Sequence, residues 1–229
     1  MDLYEIIIAV LVAAAVLIGS YYGVQAVGSA SSSVNISGTI QDGKKVFNSK
    51  KQLPVSKNQR EGLTFSYTCW VKIDDFSYRL GQQRVIFNKG SDDLSTACPA
   101  LLLDAHTNSF IVKIDTYGAT EQIPIANIPA KKWIHVGIAV DQDSADIYIN
   151  GTLHTHHSLV QIPRQNGDTV RTGALGGFEG KIASLTYYSY FLTPDLVASS
   201  MAVAPQPDPN EGIGPLPPYF DIKWWTNSS

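Results

Sequence analysis

The sequence predicts an all-β protein, an antiparallel β-sandwich or jelly roll, preceded by one N-terminal transmembrane helix. Three observations predict it. From Leu63 onward, apolar residues recur with a period of two over many short segments. Clusters of Gly, Asn and Asp separate those segments at short intervals. Ahead of them lies an uncharged apolar stretch long enough to span a bilayer.

The N-terminal stretch comes first. Ile6 to Ile18, "IIIAVLVAAAVLI", is unbroken apolar sequence, and no charge occurs between Glu5 and Asp42. As a helix, residues 6–28 would measure about 34 Å, close to the hydrocarbon thickness of a membrane. Tyr21 and Tyr22 suit an interface. A secretory signal peptide, with Gly28-Ser29-Ala30 as its cleavage site, is the competing reading. Its n-region should be basic, and "MDLYE" is acidic. Residues 1–28 are therefore expected to be a retained, single-pass anchor in membrane lipid.

Residues 29–62 read as a tether, small and polar in "SASSS" and basic in "KKVFNSKKQLPVSKNQREG". A short strand near Asn35 to Ile40 is compatible with the pattern. The sandwich is expected over residues 63–203. In "LTFSYTCWVKI" the apolar set is Leu63, Phe65, Tyr67, Cys69, Val71 and Ile73, which leaves Thr64, Ser66, Thr68, Trp70 and Lys72 on a face expected to be wet. Further strands are expected at residues 84–88, 100–104, 109–117, 121–125, 133–140, 146–149, 170–174 and 181–188. A short helix should start at Thr193, with Pro194 at its first position.

"KKWIHVGIAVDQDSADIYINGTL", followed by "GGFEGKIASLTYYSYFLTPDLV", resembles the concanavalin A-like lectin/glucanase superfamily in its laminin-G-like form. The resemblance lies in a Trp, a His two residues on, an alternating strand, a turn and a strand ending in "YING". A later Gly-x-Ile strand, an aromatic pair and "LTP" before a helix complete it. It covers about residues 63–200. With "YTCWVKI", "CPALLLD" and an anchor in front, the chain looks like membrane-anchored proteins encoded by large DNA viruses of algae and protists. There the resemblance implies association with virions.

Superfamily membership leaves function open, because it spans glucanases, lectins and structural modules. Formal net charge is −3, with Lys+Arg 17 against Asp+Glu 20, so nucleic acid is not an expected partner. A glycosidase needs two carboxyl groups flanking the scissile bond. The nearest cluster, Asp141, Asp143 and Asp146, reads as turn chemistry, and no catalytic residue is assigned. His154 and His156 share one side of an extended segment with His157 opposite, and no carboxylate lies close in sequence. "GSDDLST" and "DQDSAD" fit no calcium loop, so no metal or cofactor is expected. His135 alternates with Trp133 and reads as a packed sheet residue.

Trp70 and Trp133 are the candidate sugar-stacking residues, since both sit on the less aliphatic face of their strands. The alternative is plain packing. Cys69 and Cys98, the two cysteines, are compatible with a disulfide or with buried thiols. Lys44 and Lys45 follow the anchor, which leans toward a cytosolic or capsid-facing domain. Residues 204–229 form a Pro-rich arm with an aromatic end, in which Tyr219, Phe220, Trp224 and Trp225 are candidate contacts to a partner.

These features predict a membrane-anchored, non-enzymatic structural or adaptor protein, a minor capsid component of a virion joining an internal membrane to shell proteins. A carbohydrate-binding surface module is the alternative, and a glucanase the weakest. Deleting residues 1–28 should release the remainder in soluble form. Extraction of the full chain by alkaline carbonate without detergent would contradict the anchor.

Overall fold

The computed structural model describes residues 12–13, 32–54, 56, 58–59, 62–202 and 204–205. The anchor expected over 1–28 and the aromatic arm thus lie almost wholly outside the described residues. Among the described residues, no helix is long and apolar enough to cross a membrane.

The strands are β1 (Ser33–Ser37), β2 (Gln41–Asp42), β3 (Phe47–Asn48), β4 (Asn58–Gln59), β5 (Gly62–Leu63), β6 (Phe65–Asp75), β7 (Arg84–Gly90) and β8 (Ala97–Leu103). They continue as β9 (Phe110–Ile114), β10 (Glu121–Ile125), β11 (Trp133–Val140), β12 (Ser144–Ile149), β13 (Thr152–Ser158), β14 (Val170–Thr172) and β15 (Glu179–Tyr188). One helix, α1 (Pro194–Ser200), follows, with Thr193 at its N-cap.

Among the described residues, two large antiparallel sheets form. The seven-stranded sheet runs β1-β15-β6-β11-β12-β13, with β2 also paired to β15. The six-stranded sheet runs β10-β9-β8-β7-β14-β3. Residues read as a tether therefore supply strands to both sheets. The core between the sheets holds the expected alternation. Phe65, Tyr67, Cys69, Val71 and Ile73 of β6 and Ile134, Val136, Ile138 and Val140 of β11 meet Leu101, Leu103, Phe110, Val112 and Ile114 from the other sheet.

The polar face of β6 is not wet. Ser66, Thr68, Trp70 and Lys72 are all buried. The segment after β15, together with α1, packs over this outer face. Ala139, Tyr148, Leu192 and Val197 form a second apolar cluster there. Ser66 fastens it, donating its hydroxyl to Tyr190 O at 2.9 Å and accepting from Leu192 N at 2.9 Å. A single-strand pattern cannot show this cover, because it comes from residues over a hundred positions away.

The β12–β13 hairpin turns at Asn150 (φ 49) and Gly151 (φ 79), both left-handed, as Asn-Gly predicts. Asn150 also grips β11. Its backbone N donates to His135 O at 2.9 Å, and its Oδ1 accepts from His135 N at 2.9 Å.

Cys69 and Cys98 are free and buried, with no bond between them. Burial raises both thiols, Cys98 to about 12.

At the far end, Arg84 is 1% exposed and pins a loop through carbonyls. Its guanidinium donates to Phe76 O at 2.5 Å, to Tyr78 O at 3.0 Å and to Asp104 O. Burial lowers its pKa. Replacing it strands those carbonyls without donors, so Arg84→Ala should lower stability by roughly 3 kcal/mol. Lysine cannot span three carbonyls, so Arg84→Lys should recover only part of that loss. Denaturant midpoints of the two variants check this.

Candidate functional site

The β6–β11 ladder sets Trp70 opposite His135 and Trp133 opposite Lys72. Residues two apart on a strand share a face, so both indoles lie on the outer face of the seven-stranded sheet. They do not form an open platform. Trp70 is 8% exposed, and its ring meets His135 edge-on at 5.2 Å. Trp133 is half-buried beside Lys72, whose ammonium pairs with Asp74 at 3.1 Å.

Beside Trp70 opens a cavity of about 310 Å³. Thr68, Trp70 and His135 form its floor, Ser184 and Thr186 of β15 one wall, and Tyr188 and Tyr190 another. Leu196, Ser199 and Ser200 of α1 close the side, and Asn35 of β1 reaches the rim. The two tyrosine rings stack edge-on at 5.7 Å.

A β-bulge builds the wall. The β15 register shifts between Ala183, opposite Trp70, and Thr186, opposite Thr68. Ser184 takes φ 52 at the bulge. The extra residue lets Ile182, Leu185 and Tyr187 all reach the core while Ser184 and Thr186 face the cavity.

Trp70 Nε1, His135 Nδ1 and Trp133 Nε1 are buried and have no hydrogen-bond partner among the described residues. His135 Nε2 lies 3.2 Å from Ser200 Oγ, and the Ser200 hydroxyl donates to Val197 O at 2.7 Å. Its one proton is thus committed, so Ser200 Oγ must accept from His135 Nε2–H. His135 Nδ1 is left as a bare acceptor. Burial lowers the imidazole pKa from 6.5 to about 4, so the ring is neutral at ordinary pH.

A larger cavity, about 410 Å³, opens between residues 49–54 and the 165–170 loop. Its polar groups hold the chain together instead. Lys89 Nζ donates to Asn166 O at 2.7 Å, to Asn166 Oδ1 at 3.1 Å and to Asp168 O, and Tyr187 OH donates to Pro54 O at 3.0 Å. The smaller cavity, where two tyrosines, an indole and several hydroxyl-bearing residues converge, is the better candidate.

The other groups considered from sequence have structural partners. Asp141 Oδ1 accepts from Asp143 N at 3.1 Å, Ser144 N at 2.7 Å and Ser144 Oγ at 2.9 Å, which is turn chemistry. Asp146 pairs with His156 at 2.6 Å, and Glu121 of the other sheet with His157 at 2.7 Å. Asp146 comes from the neighbouring strand β12 and Glu121 from the other sheet, so spacing along the chain concealed them. Asp93 accepts from Ser91 Oγ and Ser95 N, which hold its carboxyl well below the usual range. Among the described residues, no group of three His, Cys, Asp or Glu side chains is placed to hold a metal. Tyr219, Phe220, Trp224 and Trp225 lie outside the described residues.

The concanavalin A-like lectin/glucanases superfamily model, in its laminin-G form, matches residues 42–198, and the chain belongs to that superfamily. No curated protein matches the chain. Similar solved structures include the receptor-binding domain of botulinum neurotoxin D, with 14% identity, 73% of this chain and 42% of that one covered, and a TM-score of 0.54. The serotype G binding domain gives 16% identity, 74% and 50% coverage, and a TM-score of 0.51. The binding domain of neurotoxin DC in complex with SialylT gives 14%, 73%, 45% and 0.52. At these identities the likeness is one of fold. The chain spans half or less of each of these structures.

Loss of the His135 proton site on folding carries a pH signature. Below pH 6.5 the unfolded chain binds a proton at this residue that the folded chain refuses until about pH 4. Stability should therefore fall as pH drops through that window, by up to about 3 kcal/mol from this residue, and be independent of it above. Denaturant melts of the wild type and His135→Gln across pH 4–7 should diverge by that slope. Parallel curves would refute the assignment.

Proposed function

We propose that the chain is a non-enzymatic, membrane-anchored adaptor, a minor capsid component that links an internal membrane of a virion to its protein shell. Residues 6–28 lie in lipid, the sandwich faces the cytosolic or capsid side, and Tyr219, Phe220, Trp224 and Trp225 contact the shell. The observation that carries binding over hydrolysis is the engagement of Asp141, Asp146 and Glu121. Asp141 caps its own turn, while Asp146 and Glu121 are hydrogen-bonded to His156 and His157. Hydrolysis of a glycoside would need two carboxyl groups free to flank a bond.

The arm supports the adaptor reading through its composition. Residues 204–218 hold six of the chain's Pro 12, which favours an extended path with less entropy to lose on docking. Removing Gly214 to Ser229 should leave thermal melting nearly unchanged and reduce retention of the protein in purified particles severalfold. Full retention of the truncated protein, or a wild type absent from both particles and membranes, would overturn this reading.

A second reading is carbohydrate recognition by the sandwich. The cavity beside Trp70 favours it, because two tyrosines, an indole and several hydroxyls converge there. The structural neighbours are receptor-binding domains, one of them in complex with SialylT and another with rat synaptotagmin II. A glycan array probed with the full chain separates the readings: saturable binding of one glycan class supports recognition, and no binding leaves the adaptor alone. Measurable hydrolysis of a β-glucan would replace both with an enzyme.

A further inference from the structure

The strand registers gather the start of the sandwich and several loops at one end. Ser33 of β1 stands opposite Tyr188 at the end of β15, and Tyr188 stands opposite Ser66 near the start of β6. Val140 of β11 faces Phe65, and Ser144 of β12 faces Ser158, where β13 ends. Ser32 is held at this same end, its carbonyl accepting from Ser189 N at 2.8 Å. Only residues 29–31 separate it from the apolar stretch over 6–28. The four Cα–Cα steps from 28 to 32 reach at most about 14 Å. With 6–28 in lipid, this end is tied close to the interfacial layer, which is about 6 Å deep on each side of a bilayer.

Past Ser158 the chain crosses this end toward the other sheet. Leu159 N donates to Asp143 O at 2.7 Å, Tyr117 N donates to Ile162 O at 3.1 Å, and Thr116 bridges Pro163. That antiparallel register sets Tyr117 opposite Ile162. Val160 N donates to Glu121 Oε1 at 2.8 Å, which places it beside the turn that leads into β10. Leu159 packs into the core and secures the loop. Its neighbours do not: Tyr117 is 72% exposed, Val160 80% and Ile162 45%. Three large apolar side chains thus stand in solvent on two adjoining loops.

We propose that Tyr117, Val160 and Ile162 form a membrane-contact tip that seats at the headgroup–acyl boundary of neutral lipid and fixes the orientation of the sandwich on the bilayer. This rests on the anchor reading given above. Aliphatic side chains gain by leaving water for that boundary, and a tyrosine suits it with an apolar ring and a polar hydroxyl. The shortness of residues 29–31 favours lipid over a protein partner, since it leaves little room for one between this end and the bilayer. β1 and β13 are opposite edges of the sheet, about 24 Å apart at the usual strand spacing. Anchor and tip are therefore two separated points of contact, and two points set an orientation that one leaves free. Charge does not drive the contact. Asp141 and Asp143 stand at this end, and Arg164 is paired with Asp115 at 2.7 Å. Leu80 is exposed too, but it follows Asp75, where β6 ends opposite Glu179 at the start of β15. It faces away from the anchor and serves as the internal control.

The test uses the full chain reconstituted in phosphatidylcholine vesicles. Tyr117→Cys, Val160→Cys, Ile162→Cys and Leu80→Cys are labelled one at a time with the fluorophore NBD. Cys69 and Cys98 are buried, and the wild type checks that they stay unlabelled. Labels at positions 117, 160 and 162 should shift to the blue and be quenched by acyl-brominated phosphatidylcholine severalfold more than the label at 80. Added phosphatidylserine should change this little. Because a label can itself draw a loop into lipid, an unlabelled readout accompanies it. Backbone hydrogen exchange over 158–163 in vesicles should be severalfold slower in the wild type than in a variant carrying Tyr117→Ser, Val160→Ser and Ile162→Ser, which should melt like the wild type. Quenching no stronger at the tip than at 80, in protein that still floats with the vesicles, would overturn the tip and leave the anchor standing. Tip labels shielded from aqueous iodide yet untouched by brominated lipid would assign the patch to a protein contact, a second copy included, and overturn the lipid tip. Protein that does not float with the vesicles would overturn the anchor and the proposal with it.

Discussion

The pairing of β6 with β11, which sets Trp70 against His135, is the constraint on which the outer half of this sandwich depends. A slip of one residue would turn Cys69 and Val136 outward and send the indole and imidazole into the core. Asn150 fixes the register of β11 on its other side, against β12, by bonding both backbone groups of His135 from the hairpin turn. The same strand, β6, pairs with β15 on its other side. It is therefore buried on both faces and both edges, and the cavity is built along it.

Strands β6 and β11 could be read from alternation because each has one face in the sandwich interior and their pairing runs without a break. The region of β15 is instructive. Ile182, Leu185 and Tyr187 reach the core with a phase jump between the first two, and that jump is the sequence mark of the bulge at Ser184. A reading by strict alternation passes over it. Strands β2 and β3 were hidden in the segment read as a tether for a different reason. Each is a two-residue strand, too short for any period to show.

The site was less accessible to sequence reasoning. Trp70 and Trp133 were identified as sharing a less aliphatic face, and the register places them there. That Trp70 would be roofed was not readable, since its cover comes from Tyr188 to Leu192 and from α1. His135 reads as a packing residue and is packed, at 1% exposed. Its importance lies in Ser200, a contact across 65 positions that no local pattern encodes. The same holds for His156 with Asp146 and His157 with Glu121. Cross-strand partners need the topology before they become visible.

The account of the outer sheet turns on His135 being neutral, fixed by a hydroxyl whose own proton is engaged elsewhere. Long-range ¹H–¹⁵N NMR of the histidine rings in the full chain, with His135→Gln to assign the signal, reports which nitrogen carries the proton. The account predicts a neutral ring at pH 6, protonated on Nε2 and bare at Nδ1. A proton on Nδ1, or an imidazolium at that pH, would contradict it.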